Sequence, residues 1–243
     1  MDDVSLFRDS IATISDLIDE TELQVTKNGL QMIAADRAVV VVIDFLLSKE
    51  AFKEYIYEQD ARIGINTNQL LAVLRRAGTN EKVKIALEEK KMNIIIEGES
   101  VRSFVLPLID ITKEETPPLD KLEFQSVLEI NADILYSGIE DAEMVGDSVV
   151  FTARKDAFIM KADSDSASAQ LEVVSGTDNL KIIDSNEPVR GRYSIDYLKK
   201  IMKARKLAPV VVLSMGTDYP AKLRFEIPNK LHISFILAPR VEE

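Results

Sequence analysis

The chain has 243 residues, enough for one large domain or two of ordinary size, and its formal net charge of −11 argues against a protein coated in nucleic-acid-binding surface. Apolar residues make up 46% and run through the whole length, which excludes a disordered chain. There is no cysteine, which excludes disulfides, thiolate zinc sites and cysteine nucleophiles.

The N-terminus, Met1-Asp2-Asp3-Val4, opens with acids and lacks the basic stretch of a secretory signal. The longest apolar stretch, Ala38 to Ile43, is stopped by Asp44 before Phe45-Leu46-Leu47, far short of the about 20 residues a membrane span needs. A soluble, cytoplasmic protein is expected, with no membrane partner. The only histidine, His232, sits in the alternating run Leu231-His232-Ile233-Ser234-Phe235 and reads as a surface residue of a strand. One imidazole cannot build a histidine-rich metal site, so neither metal nor cofactor is expected.

In chain order, Leu6, Ile11, Ile14, Leu17 and Ile18 have helical spacing. Glu22–Val25 and Gln31–Ile33 read as strands around a turn at Lys27-Asn28-Gly29, followed by an apolar strand over Val39–Leu47. Leu70, Leu71, Val73, Leu74 and Ala77 predict a second helix, and Val83–Leu87 and Met92–Glu97 further strands. Asp110 to Glu123 reads as a linker, because it carries Pro117-Pro118 and its five acids outnumber its two lysines. Ile134–Ala142 and Ile195–Ala204 are helical again, with a hairpin turn at Arg154-Lys155-Asp156.

Splitting the chain at the linker exposes a repeat. Leu70, Val73, Leu74 and Arg75 match Leu198, Ile201, Met202 and Lys203, each 128 residues later, and at the same offset Met32 and Ala34 meet Met160 and Ala162. Each copy begins with a helix and a strand–turn–strand. The organisation read from this is a first domain over 1–109, a connector over 110–123 and a second domain over 124–243, of α+β class.

Catalytic motifs are missing. With nine glycines, neither phosphate-binding glycine loop occurs, there is no nucleophile elbow, and no second histidine could complete a triad. A carboxylate-only hydrolase stays open, since such sites assemble from distant residues. The charge distribution says more. Asn66 to Ala77 carries Arg75 and Arg76 and no acid, whereas Ile195 to Lys206 carries Lys199, Lys200, Lys203, Arg205 and Lys206 against Asp196, giving +2 and +4 in an acidic chain. On a helical wheel Lys199, Lys203 and Lys206 share the face opposite Leu198, Ile201 and Met202. Two basic helices at equivalent positions of a duplicated domain point to a shared polyanion, contacted through phosphate without base reading. A protein–protein scaffold with no DNA role is the alternative, and it leaves the paired basic helices unexplained.

The basic helices, the duplication, the acidic Pro-containing connector and the ending Leu237-Ala238-Pro239-Arg240-Val241-Glu242-Glu243 together resemble the archaeal proliferating cell nuclear antigen (DNA polymerase sliding clamp) family. Further matching stretches are Ala35-Asp36-Arg37-Ala38-Val39, Phe52-Lys53-Glu54-Tyr55, Pro107-Leu108-Ile109-Asp110 and Ser214-Met215-Gly216-Thr217-Asp218-Tyr219-Pro220. The resemblance implies a DNA-clamp fold: two duplicated domains, antiparallel sheets outside, two helices of each lining an inner face. It implies a non-catalytic processivity factor for DNA replication and repair, a homo- or heterotrimeric ring around double-stranded DNA. The DNA-facing residues would be Arg8, Arg75, Arg76, Lys199, Lys200, Lys203, Arg205 and Lys206.

By the same resemblance the subunits would join through Arg102, Phe104, Leu106 and Leu108 on one and Ser168, Gln170, Glu172 and Val174 on the next. A groove for peptide motifs of DNA polymerase, clamp loader, ligase and flap nuclease would be formed by Val39, Val40, Val42, Leu119, Pro220, Ile236, Ala238 and Pro239. One departure stands out. The helix at Asn131–Val145 carries Asp133, Glu140, Asp141 and Glu143 and no base, and the first helix sets Arg8 against Asp9, Asp16, Asp19 and Glu20.

Overall fold

The computed structural model describes residues 4–112, 119–185 and 187–241, without the side chain of Asp120. The described residues sort into two units, one holding 4–37, 43–112 and 226–233, the other 38–42, 119–185, 187–225 and 234–241.

The first unit opens with α1 (Ser5–Ser15), in which Phe7, Ile11 and Ile14 recur at three- and four-residue spacing and are buried. Then β1 (Glu20–Thr26) and β2 (Gly29–Ala35) form an antiparallel hairpin. Its turn requires glycine: φ at Gly29 is +132°, and a Cβ there would lie 2.1 Å from the Leu47 carbonyl oxygen. With β3 (Val41–Ser48) and β4 (Ala61–Asn66) the strand order is β3-β2-β1-β4. Next, α2 (Thr67–Leu74) starts where the Asn66 side chain accepts a hydrogen bond from the Gln69 N–H at 3.0 Å, and it packs against α1 with Leu70, Leu71 and Leu74 buried. A three-stranded meander follows: β5 (Lys82–Glu88), β6 (Lys91–Glu97) and β7 (Val101–Pro107), with β7 on its edge.

The second unit repeats this plan. It contains β8 (Ser126–Asn131), α3 (Ala132–Glu143), β9 (Ser148–Ala153), β10 (Ala157–Asp163), β11 (Ser168–Val174), β12 (Leu180–Ser185) and β13 (Val189–Ser194). After these come α4 (Ile195–Ile201), a 3-10 turn over Met202–Lys206, and β14 (Val210–Met215), β15 (Ala221–Ile227) and β16 (Leu231–Leu237), with the end of β15 and the start of β16, Glu226–Ile233, counted in the first unit. The order β11-β10-β9-β13 mirrors β3-β2-β1-β4, and β14-β15-β16 mirrors β5-β6-β7. β2 and β10, like β4 and β13, begin and end 128 residues apart. The offset becomes 130 at β15 and β16, the shift being taken up in the loop Gly216–Pro220. The duplication therefore extends to strands whose sequences show no likeness. It lapses at β12, whose equivalents over 52–57 are irregular.

Candidate functional site

Each unit packs its two helices side by side, α1 with α2 and α3 with α4. In the first unit Arg75 and Arg76 follow α2 and are exposed. Arg8 is half-buried on α1 and bonded to Asp9 at 2.9 Å, so its charge is answered locally.

In the second unit the structure redraws the expected helical wheel. The α-helix stops at Ile201 and tightens into the 3-10 turn. The apolar residues explain the change: Ile201, Ala204 and Leu207 are buried at intervals of three, and a helix with three residues per turn stacks such positions in one line. The same period lines up Lys200, Lys203 and Lys206, all exposed. Lys199, expected on the open face, is instead half-buried, with its ammonium 2.6 Å from the Glu143 carboxylate of α3. That hydrogen bond holds the Lys199 ammonium above its ordinary pKa range. Arg205 also turns toward α3: its guanidinium lies 3.8 Å from the Tyr136 ring centroid and 3.2 Å from the Asp133 carboxylate. The exposed cationic row is thus Lys200, Lys203 and Lys206, not Lys199, Lys203 and Lys206.

α3 is built for close approach. The Asn131 carboxamide oxygen accepts from the N–H groups of Asp133 and Ile134, and the buried Gly138 lets the helix press on β10, where a Cβ would come within 2.8 Å of the Met160 sulfur. Sequence reasoning missed the ion pairs between α3 and the basic segment, because Glu143 and Lys199 lie 56 residues apart and neither spacing nor periodicity links them.

The proposed groove residues belong to the second unit. The predicted strand over Val39–Leu47 begins at Val41 instead, and Val39 is a turn residue at φ +53°, a costly conformation for a β-branched side chain. Val39 is 57% exposed, whereas Val42 is only 5% exposed and Ile236 is likewise buried. The Ala238 N–H donates to the Val40 carbonyl at 2.8 Å, bringing the C-terminal segment beside the start of β3. Ala238 and Pro239 are half-buried there. Pro220 closes a loop held from two sides: the Tyr193 hydroxyl donates to the Tyr219 carbonyl at 2.9 Å, and the Gln125 side chain accepts from the Thr217 N–H at 3.0 Å. Phe124 packs edge-on against Tyr219 at 6.0 Å, an aromatic pair that sequence reasoning did not include. Beyond Ala238, Arg240 anchors the segment through Asp147 at 2.8 Å, holding that carboxyl below its usual range, while its N–H donates to the Arg192 carbonyl. Leu119 is half-buried in a short 3-10 turn; Pro117 and Pro118 lie outside the described residues.

The expected joining segments fall on edge strands, β7 of the three-stranded sheet and β11 of the four-stranded one. On β7 the exposed residues are Val101, Ser103, Val105 and Pro107, while Arg102, Phe104 and Leu106 point to the half-covered side. Arg102 is engaged within its own unit, by an ion pair to Glu81 and a 3.0 Å hydrogen bond to the Arg76 carbonyl. Leu108, past the end of β7, donates its N–H to the Lys90 carbonyl. On β11 Ser168, Gln170, Glu172 and Val174 are all exposed. Among the described residues no helix is long and apolar enough to cross a membrane.

Two copies of one α+β unit, each with a helix pair and antiparallel sheets, define a duplicated clamp fold. Comparison with known proteins gives the family. A family model for the C-terminal domain of proliferating cell nuclear antigen matches residues 118–240, and one for its N-terminal domain matches residues 1–115. The chain is 34% identical to a DNA polymerase sliding clamp of Methanothermobacter thermautotrophicus, over 100% of this chain and 97% of that one. It is also 34% identical to a DNA polymerase sliding clamp of Thermococcus gammatolerans, over 98% of this chain and 95% of that one. Among solved structures, a proliferating cell nuclear antigen of Thermococcus kodakaraensis superposes with a TM-score of 0.89 at 27% identity, covering 99% of this chain and 98% of its own. A chain of the PCNA2–PCNA3 complex of Sulfolobus tokodaii reaches 0.88 at the same identity and coverage. The chain belongs to the proliferating cell nuclear antigen family.

Proposed function

We infer that this chain is a DNA sliding-clamp subunit: three subunits close into a ring around duplex DNA and tether DNA polymerase, clamp loader, ligase and flap nuclease without chemistry of their own. The observation that carries the reading is the exposed row Lys200, Lys203 and Lys206 on a chain of net charge −11 whose full-length relatives are DNA polymerase sliding clamps. A row of ammonium groups meets phosphates without regard to base sequence, so the duplex can move through the ring. Arg75 and Arg76 supply the equivalent contacts from the first domain, 1–109, and the lysine row those from the second, 124–243, with 110–123 as connector.

Two unlike edges, β7 of one subunit and β11 of the next, suit a head-to-tail interface whose rotation closes. Joining them also hides strand edges bearing exposed Val105 and Val174, each 58% exposed. The turn at Val39 and Val40, the C-terminal segment at Ala238 and Pro239, and Pro220 form the rim of the peptide groove, and Val42 and Ile236 its buried support.

The test is a variant with Lys200→Glu, Lys203→Glu and Lys206→Glu. It should fold and assemble as the parent does, yet lose polymerase processivity on primed circular DNA. Unaltered processivity in that variant would remove the lysine row from the DNA-facing surface.

A further inference from the structure

α3 is the unusual element of the helical face. Its four acids, Asp133, Glu140, Asp141 and Glu143, cancel the net +4 of residues 195–206. The cancellation is local and uneven. Lys199 meets Glu143 at 2.6 Å with both side chains partly exposed, 35% and 45%, while Tyr136 and Glu140 act on its ammonium only through space and more weakly. Arg205 is held three ways, by Asp133, by the Tyr136 ring and by a 3.4 Å hydrogen bond to the Met202 carbonyl.

We propose that Glu143 acts as an internal counter-ion that withholds Lys199 from DNA phosphate, so that this one carboxylate sets how strongly the subunit holds the duplex. The proposal rests on the DNA-facing reading of α4 given above. Lys199 stands beside the exposed Lys200 at the end of α4, and its flexible stem would let it swing outward once the carboxylate is gone. An exposed pair of this kind contributes little to folding, so the exchange between carboxylate and phosphate is nearly balanced. Arg205 differs: with Asp133 neutralised, Tyr136 and the Met202 carbonyl still fix it. Glu143 is therefore a positioning residue for DNA contact, and Arg205 a structural one.

The experiment measures binding of the assembled full-length protein to a fluorescent 30-base-pair duplex by anisotropy between 50 and 200 mM KCl. Each cation newly engaged with phosphate steepens the slope of log affinity against log salt by about 0.9, or about 3.5-fold in affinity across that fourfold range. Glu143→Gln should give this steepening, and Glu143→Gln with Lys199→Gln should return to the parent slope. Asp133→Asn should move the slope less than Glu143→Gln. An unchanged slope in Glu143→Gln overturns the proposal. So does steepening that persists in the double variant, or an equal shift in Asp133→Asn, since either would trace the effect to bulk charge. The lysine-row variant keeps the two readings apart. If it loses duplex binding while Glu143→Gln matches the parent, only the counter-ion role fails; if it binds as the parent does, the DNA-facing reading itself fails.

Discussion

His232, the only histidine, is a pH-dependent tie within the first unit. Its Nδ1 lies 2.9 Å from Glu226 Oε1 on β15 and its Nε2 3.5 Å from Asp44 Oδ2 on β3. The bond to Asp44, together with that to Glu226, holds the imidazole above its ordinary pKa, although the Glu226 contact is the shorter. A group whose folded pKa is raised adds stability that is complete below its unfolded value of about 6.5 and fades as pH rises through the folded value. Replacing His232 by Gln keeps neutral hydrogen bonding and removes the charge. A hydrogen bond to a charged group contributes about 1.5–3 kcal/mol against about 1 for a neutral one, and the 3.5 Å contact is at the outer limit of bonding. The charge should therefore stabilise the fold by about 1.5 kcal/mol, which at this chain length lowers the variant's Tm by about 3–6 °C at pH 6 and by progressively less toward alkaline pH. Thermal melts of both proteins across that range give the difference, and the single imidazole resonance reports the pKa directly. A gap independent of pH, or a resonance titrating at or below the ordinary value, would refute the reasoning.

Gly29→Ala should destabilise the fold by at least about 2 kcal/mol, since the new Cβ meets the Leu47 carbonyl and φ is positive; chemical denaturation measures it. Val39→Asn should stabilise by about 1 kcal/mol, because Asn tolerates the left-handed backbone, while weakening the binding of a clamp-interacting peptide in calorimetry; a loss of stability would contradict the strain at φ +53°. Tyr193→Phe leaves the Tyr219 carbonyl without its buried donor and should cost about 1–2 kcal/mol, with peptide affinity falling as the Gly216–Pro220 loop loosens. Unchanged peptide affinity there would detach that loop from the groove.

The repeat was legible where buried residues recur: Leu70 with Leu198 and Met32 with Met160 fall at equivalent places because both copies bury the same helix and strand. Helix existence was legible for the same reason, while helix type was not. The change from α to 3-10 at Met202 follows from the burial of Ile201, Ala204 and Leu207 together, and burial is a tertiary property. Val39 read as the start of a strand because β-branched residues favour one; the turn that reverses the chain before β3 overrode that preference. Val42 looked like an accessible groove position and lies within the sheet, so a charge introduced there would disturb folding as well as docking. The pairing of α3 acids with the bases of α4 and its 3-10 turn could not be read at all, since it depends on the side-by-side packing of helices far apart in sequence.

The ring around DNA is tested most directly by loading the labelled protein with its clamp loader onto a closed circular duplex, linearising half the sample with a restriction enzyme, and measuring the bound fraction by gel filtration. Encirclement predicts that protein stays on the closed circles and runs off the cut ones. Equal retention on both would mean the chain adheres to DNA without surrounding it, and the clamp account would be wrong.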